Sequence, residues 1–545
     1  MLKKINYPVA PHNIILMGQP EPFSKSWIIS PLQRGDYTFV VHPKGMIKLD
    51  FSIFRFDFFC KAHDHAPERV LFKVPKFLQQ VVAWEWHLIK WEMDMALEIK
   101  KDVPSLSTLL YEYRPTASGT FKIKNEVFNS DYKLLIWSCN QPFETNENDE
   151  VVLEAHANVI FEWYKNQVKS ITPDMVWGLG DTAYSDGTIA TDFINQYYDN
   201  AQALHLQEGK DNLLKSYRRM YKAHWSFEPL QQVMRNYPHI TIWDDHEIRD
   251  GWGSEENDFL KSNTLIYQQA KRAAQEFILN NGPRIHPTGK QNSNTEDAHQ
   301  AYITAPIASF VFDGRSSRRY NDPSGKVISA SQLQDFKSFC EVLVYNKEVK
   351  FLIMGSAVPF INLVDFIENI GSKLPDALNN LLGELRDDVR DSWHSPGNIA
   401  QLKELIDVLR QLHRNRPDIN MINVSGDIHV ANLYAFQPLG FQRALYQVTT
   451  SALTNRSHPS DKLNELIQVS TEVSTEALGV ITRIWQTVSD PNFLKIEPDG
   501  QFLKLTLKVF DLEKENLNPE VLDSAKDLVY QVGKHRFVGQ HLLKV

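Results

Sequence analysis

The stretch Met175-Val176-Trp177-Gly178-Leu179-Gly180-Asp181-Thr182-Ala183-Tyr184 starts as a short apolar run and ends in a glycine, an acid and an aromatic residue. A run of this length bounded by a turn signal reads as a buried strand. The same design recurs along the chain. It appears at Leu134 to Cys139, at His239 to Asp245, at Ala308 to Asp313, at Lys350 to Gly355 and at Asn420 to Asp427. Helical stretches lie between, from about Leu153 to Val168 and from about Leu213 to Arg235. Strands alternating with helices predict an α/β protein with a largely buried sheet and helices on its faces. In such sheets ligands sit outside the strand ends, so the polar residues gathered there are the candidates for chemistry.

Outward from this core the pattern changes. Residues 1–130 carry β-branched and aromatic runs broken by Gly and Pro, at Tyr37 to Val41, Met46 to Phe59, Val70 to Val74 and Val81 to Trp91. Trp84 and Trp86 alternate like one face of a strand, and aromatics at that period are core. This predicts an N-terminal mostly-β domain. After Asp427 strands return at Leu433 to Phe436, Ala444 to Thr450 and Phe502 to Phe510, and the final residues are mixed and polar. The formal net charge of −9 and pI near 6.1 give no nucleic-acid-binding signature and no attraction to an anionic membrane. Cys60, Cys139 and Cys340 lie too far apart in sequence to suggest a disulfide framework. Neither a signal-peptide run, nor a twin arginine near the start, nor an apolar span of membrane length is seen, so a cytoplasmic location is expected. Oligomeric state is not legible.

Three strand-end segments carry the chemistry. Gly178-Leu179-Gly180-Asp181-Thr182-Ala183 fits a dinucleotide fingerprint, but Tyr184 onward reads as loop rather than helix, and Asp181 would put a carboxylate against the pyrophosphate. Asp181 reads better as a metal ligand, with Tyr184 three residues later reaching the same ion. Asp244-Asp245-His246-Glu247 places four ionisable residues after an apolar strand, which is costly without a counter-charge. Asp245 suits the ion and His246 suits proton donation to a leaving oxygen. In Gly426-Asp427-Ile428-His429 the acid and the histidine share one side of an extended chain. Taken singly, each segment is equally a solvated or bland strand end. Together they form the set a two-metal hydrolase needs. Carboxylate, imidazole and phenolate donors favour iron, manganese, calcium or magnesium over structural zinc.

From about Lys133 to Phe510 the chain resembles the metallophosphoesterase superfamily, and within it the PhoD-like alkaline phosphatase D family. The resemblance rests on Ser138-Cys139, Gly180-Asp181-Thr182-Ala183-Tyr184, Tyr217-Arg218-Arg219-Met220-Tyr221 and Trp243-Asp244-Asp245-His246-Glu247. It continues through Asp313-Gly314-Arg315-Ser316, Ser329 to Leu333, Val358-Pro359-Phe360, Asp391-Ser392-Trp393 and Gly426-Asp427-Ile428-His429. It implies a four-layer α/β/β/α catalytic core over residues 131–510, followed by a C-terminal extension over 511–545.

The resemblance also implies roles. Cys139, Asp181 and Tyr184 would bind a ferric-type ion (Fe3+), with Asp181 bridging to a second cation, Ca2+, Mn2+ or Mg2+. Asp245, Asp427 and His429 would complete the metal ligands, and His246 would be the catalytic histidine. Arg315 is the first candidate to grip the phosphate, through a guanidinium fork that matches two oxygens. The other reading of Arg315 is an internal salt bridge. Three positions depart from the family pattern: Asp250 where many relatives have asparagine, His394 where some have aspartate, and Gly355-Ser356 where the wider superfamily has a histidine. The expected function is a metal-dependent phosphoesterase acting on a small phosphate ester. The competing readings are a catalytically silent metal-binding protein of the same fold and an NAD-dependent enzyme.

Overall fold

The computed structural model describes residues 13–18, 23–45, 54–61, 65–91, 113–123, 129–148, 150–186, 193–194, 197, 201–253, 258, 260–279, 297–318, 327–361, 392–395, 397–450, 452–454, 472–475, 478–510, 526–533, 535–538 and 541–544. The loops at 282–296 and 362–391, Asp391 and the segment 46–53 fall outside this set.

The N-terminal region is built from two antiparallel sheets. One joins β1 (Ile14–Gly18), β2 (Ser24–Ser30) and β5 (Glu68–Lys73); the other joins β3 (Gly35–Pro43), β4 (Arg55–Cys60), β6 (Ala83–Lys90) and β7 (Ala117–Lys122). Trp84 and Trp86, two apart on β6, are both fully buried and pack with Trp27, Phe39 and Phe121. Their period of two puts both rings on one face, as the alternation predicts.

Two further sheets stack face to face at the centre. The first, in spatial order, is β12 (His239–Ile242), β11 (Met175–Leu179), β8 (Leu134–Trp137), β21 (Asn492–Asp499), β22 (Phe502–Val509) and β23 (Lys526–Val532). Its β8, β11 and β12 run parallel. The second is β13 (Gln300–Thr304), β14 (Ile307–Val311), β15 (Phe351–Ser356), β16 (Asn420–Ser425), β18 (Leu445–Thr449), β17 (Ala431–Gln437), β20 (Gly479–Val488) and β19 (Glu472–Thr475). Its β14, β15, β16 and β18 are parallel. Small hairpins, β9 (Phe143–Thr145) with β10 (Val151–Leu153) and β24 (His535–Val538) with β25 (His541–Lys544), complete the strands.

Between the sheets, Ile136, Trp177, Leu179 and Ile242 meet Ile353, Val424 and Val448. Each such buried side chain contributes about 1.5–3 kcal/mol relative to exposure. The outer face of the first sheet is covered by α1 (Ala157–Ile171), α2 (Gln207–Trp225), α3 (Glu228–Asn236) and α4 (Lys261–Phe277). The outer face of the second is covered by α5 (Ala330–Tyr345) and α6 (Ile399–Asn415). The order is therefore α/β/β/α, as expected. Because β8 and β11 are buried on both faces, they read as unbroken apolar runs.

Local differences from the sequence reading have identifiable causes. The single helical region expected near Leu213 to Arg235 is two helices, because Pro229 fits the first turn of a new helix but not the middle of an old one. The polar tail contributes β23 as the edge strand of the first sheet, paired along its whole length with β22. At the start of α5 the Ser329 hydroxyl accepts from the Gln332 amide nitrogen at 3.0 Å. The Gln332 side chain then both accepts from the Asp313 N–H (2.8 Å) and donates to the Asp313 carbonyl (3.0 Å), tying the helix to the end of β14.

Candidate metal centre

Four strands end at one place. Beyond β8 comes Ser138-Cys139, beyond β11 Gly180-Asp181, beyond β12 Trp243-Asp244-Asp245-His246, and beyond β16 Gly426-Asp427-Ile428-His429. Six non-glycine residues have positive φ among the described residues, and four of them are Cys139 (52°), Asp181 (52°), Asp427 (77°) and His429 (51°). Such a backbone is sparsely populated for side chains of this kind and persists only where the surroundings enforce it, which is characteristic of functional sites. Two glycines make the approach possible. A Cβ on Gly180 would lie 2.7 Å from the Asp244 Cβ, and one on Gly426 would lie 2.6 Å from the Ser138 Cβ.

The side chains converge. Cys139 Sγ is 3.7 Å from Asp181 Oδ2 and 3.6 Å from the Asp427 carbonyl oxygen. The Tyr184 hydroxyl donates to Asp181 Oδ2 at 3.3 Å and lies 3.2 Å from His429 Nε2. Donor atoms of Cys139, Asp181 and His429 form one group within 4.8 Å, and those of Asp181, Asp244, Asp245 and Asp427 form another. Asp181 belongs to both. Its Oδ1 is buried with no hydrogen-bond partner. Arg315 is bonded to Asp244 and lies 3.4 Å from Asp245, and a ring nitrogen of His246 lies within 4.8 Å of donor atoms of Asp181 and Asp245. So much buried carboxylate demands more positive charge than one guanidinium and one imidazole bring. Oxygen, imidazole, thiol and phenol donors fit a pair of cations.

Burial and charge shape the ionisation of these groups. Burial pushes the Cys139 thiol well up, and the Asp181 carboxylate beside it pushes the same way. Burial raises Asp181 itself well above the carboxylate range; His246 opposes this, while Asp245, Asp244 and Glu247 add to it. Burial also works against ionised Asp245, but Arg315 and His246 outweigh it and hold that carboxyl below its usual value. His429 falls to about 4, chiefly through burial and then through the charge of His246. A bound cation favours the ionised thiol and carboxylate and the neutral imidazole, as a ligand set requires.

His246 is held differently. Its Nδ1 sits 2.5 Å from Asp186 Oδ1, and its ring lies 4.2 Å from that of Tyr184, centroid to centroid. Burial alone would lower its pKa, but Asp186, Asp181 and Asp245 together raise it well above the ordinary histidine value. Asp186 escaped the sequence reading, for nothing marks it except membership of the loop after Asp181. Glu247 did too. Its carboxylate accepts from the backbone N–H groups of Asp181 (3.0 Å), Thr182 (2.6 Å) and Asp244 (2.7 Å), clamping two ligand loops together.

Arg315 differs from expectation. It is 1% exposed, its guanidinium is engaged by Asp244, Asp245 and the Trp252 carbonyl (2.7 Å), and its N–H donates to Asp313 Oδ1. Its side chain therefore backs the acids from beneath. Asp250, by contrast, exposes 61% of its side chain and lies 3.8 Å from His246 Nε2. Ser356 accepts from the Trp393 indole at 3.2 Å. The dinucleotide reading fails on geometry, because turn rather than helix follows Asp181 through Asp186.

Comparison with known proteins agrees with this site. The PhoD-like phosphatase model matches residues 135–481, more than half of the chain. The chain belongs to the PhoD-like phosphatase family. Every strand end described above lies inside the matched span. As a PhoD-like phosphatase it is a metal-dependent phosphoesterase. No curated protein matches the sequence. Among solved structures, one of PhoD superposes with a TM-score of 0.57 at 13% identity, covering 99% of this chain and 93% of its own. Two others are less alike. GAP50, the anchor in the inner membrane complex of Plasmodium, gives 0.35 at 10% identity over 74% of this chain and 89% of its own. A dimetal phosphatase from Danio rerio gives 0.33 at 9% identity over 74% and 99%. No helix among the described residues is long and apolar enough to cross a membrane.

Proposed function

We propose that this phosphatase hydrolyses small phosphate monoesters or diesters at a dinuclear centre held by Cys139, Asp181, Tyr184, Asp245, Asp427 and His429. The observation that carries the reading is the pair of donor groups that overlap at Asp181, whose second oxygen is buried and unbonded. In this reading the cations, a ferric-type ion and one of calcium, manganese or magnesium, would supply Lewis acidity and offset charge on the phosphoryl oxygens. Residues 131–510 carry the catalysis, with residues 1–130 and 511–545 flanking it.

The chain's own groups divide the remaining work. Asp186 at Nδ1 orients the His246 ring and leaves Nε2 as the nitrogen that hands a proton to the departing alkoxide. Glu247 fixes the spacing between the loops that carry Asp181 and Asp245 by collecting their backbone N–H groups. Arg315 is a positioning residue. It pairs with Asp244, helps to hold Asp245 ionised, and aims both at the centre. Burial keeps water off these contacts, and charge interactions are stronger there than in solvent.

The test is hydrolysis of p-nitrophenyl phosphate and of its bis ester over a panel of metals, for the native chain and for Asp181→Ala. Turnover that depends on metal and disappears in the variant is expected. No turnover with any metal would remove the reading in favour of a silent metal-binding protein, and metal-independent turnover would remove the metal centre from it.

A further inference from the structure

A second cavity, of about 630 Å³, opens at the other end of the catalytic sheet. Lys133 precedes β8, Pro173-Asp174 precedes β11 and Tyr237-Pro238 precedes β12, and all of them line it. The metal centre lies beyond the opposite ends of these same three strands. The N-terminal sheets close the other wall, through the starts of β2 and β6 and the end of β7.

Its lining is strongly basic in a chain of net charge −9. Lys25, Lys44, Lys122, Lys133, Lys165 and Lys169 face two acids, Asp131 and Asp174. Lys25, at 4% exposure, sits deep, whereas Lys44, Lys122 and Lys169 are exposed. Part of this charge is accounted for locally. Lys133 Nζ donates to the Ile171 carbonyl at 3.1 Å, Lys165 pairs with Glu162, and Lys165 and Lys169 complement the negative end of α1. That explanation does not reach Lys44 or Lys122, which arrive from a loop and a separate strand. Among the described residues, Lys44, Lys122 and Lys169 have no carboxylate partner. Gathering like charges around one space costs free energy unless an anion offsets it.

Two more observations point to a ligand. Among the described residues, the positive-φ non-glycine residues outside the metal centre are Thr172 (51°), which is the left-handed C-cap of α1, and Phe23 (56°), which lines this cavity with no helix end to account for it. For an aromatic residue such a backbone is a genuine outlier, and outliers of this kind cluster at ligand sites. Half-buried rings of Phe23 and Tyr237 also supply apolar surface beside the amines. The volume falls in the range of small-molecule sites.

We propose that this cavity is a second binding site, separate from the metal centre, for a small molecule with several phosphate charges on a planar ring, of the nucleoside polyphosphate class. The lysines surround the phosphates while Phe23 and Tyr237 take the ring. The ligand bears on the N-terminal ends of β8, β11 and β12, so it is placed to modulate the centre about 13–17 Å away along those strands.

Calorimetric titration of the full-length, metal-loaded protein with adenosine 5′-(β,γ-imido)triphosphate tests this. The native chain and Asp181→Ala should both retain one site of equal affinity, and Lys122→Gln/Lys169→Gln should bind at least tenfold more weakly while keeping native turnover of p-nitrophenyl phosphate. Both replaced lysines are exposed, so the fold is not at stake. Inorganic phosphate should bind this site more weakly than the nucleotide. Absence of binding to the native chain overturns the proposal. So does binding that Asp181→Ala abolishes and the lysine changes leave untouched, which would place the ligand at the metal centre. Phosphate binding as tight as the nucleotide's would remove the ring from the assignment.

Discussion

The two ends of the six-stranded catalytic sheet are opposites. At the C-terminal ends of β8, β11 and β12 stand Cys139, Asp181, Asp244 and Asp245, with Asp427 and His429 arriving from β16 of the facing sheet. Around the N-terminal ends of the same strands, beside Lys133 and Asp174, the cavity gathers Lys25, Lys44, Lys122, Lys165 and Lys169 from the N-terminal sheets and α1. The strands between are buried and mostly apolar, and α/β/β/α stacking requires only that. Nothing in the packing asks for carboxylates at one end and ammonium groups at the other. The fold supplies two ends where backbone leaves the core, and ligand chemistry decides what collects there. Backbone strain marks the acidic end, since among the described residues four of the six left-handed non-glycine residues lie there.

The sharpest break in the comparison is at the acidic end. Asp181→Ala removes the carboxylate common to both donor groups, so turnover should fall to background and the bound metal should drop. Normal stoichiometry with near-normal turnover would show that the overlap at Asp181 is incidental. His246→Ala comes next. Its loss should cost roughly 10²–10⁴ in turnover with the metals retained, the scale of losing a general acid. That cost should shrink for p-nitrophenyl phosphate, whose leaving group needs little protonation. An equal loss for good and poor leaving groups would point to another role. Arg315→Met should weaken metal binding or activity about 10–100-fold, the usual cost of losing an outer-shell partner. It should also destabilise the protein by about 3–5 kcal/mol, because Asp244 is left buried without its cation. Denaturation midpoints beside metal analysis separate the two effects, and unchanged values in both would dismiss the positioning role.

The gathering of these residues at one end was largely legible in the sequence because each proposed ligand sits at a fixed offset from an apolar run. Asp181 and Tyr184 follow Leu179, Asp245 follows Ile242, and Asp427 and His429 follow Ser425, so strand recognition alone located them. Cys139 needed the family pattern, since a buried cysteine at a strand end is ordinarily inert. Asp186 and Glu247 were not legible. The first matters because a loop folds back to bring it to His246, and the second because it binds backbone, which no residue pattern records. Arg315 was located with both a phosphate-gripping and an internal salt-bridge reading open, for sequence cannot say whether a guanidinium points into solvent or under its neighbours; the structure buries it against Asp244 and Asp245. The basic end was invisible for a related reason. Its lysines are scattered from Lys25 to Lys169 and only the packing of the N-terminal sheets against α1 and α3 assembles them.

The smallest structural change gives the finest test. Tyr184→Phe removes one hydroxyl from a ring that stays packed against His246, so the fold should be unaffected. A phenol with pKa near 10 binds metal at neutral pH only when a strongly Lewis-acidic ion holds the phenolate. The oxidised native protein should therefore be coloured, and the variant should lose that colour with a modest change in turnover. A colourless native protein containing stoichiometric ferric iron would leave Tyr184 as a packing residue.

The most direct test of the central claim is elemental analysis of the purified full-length protein beside Asp181→Ala. The account predicts two metal ions per native chain, one of them iron, and a loss of metal from the variant. One ion or none in a native chain that still hydrolyses p-nitrophenyl phosphate would contradict it.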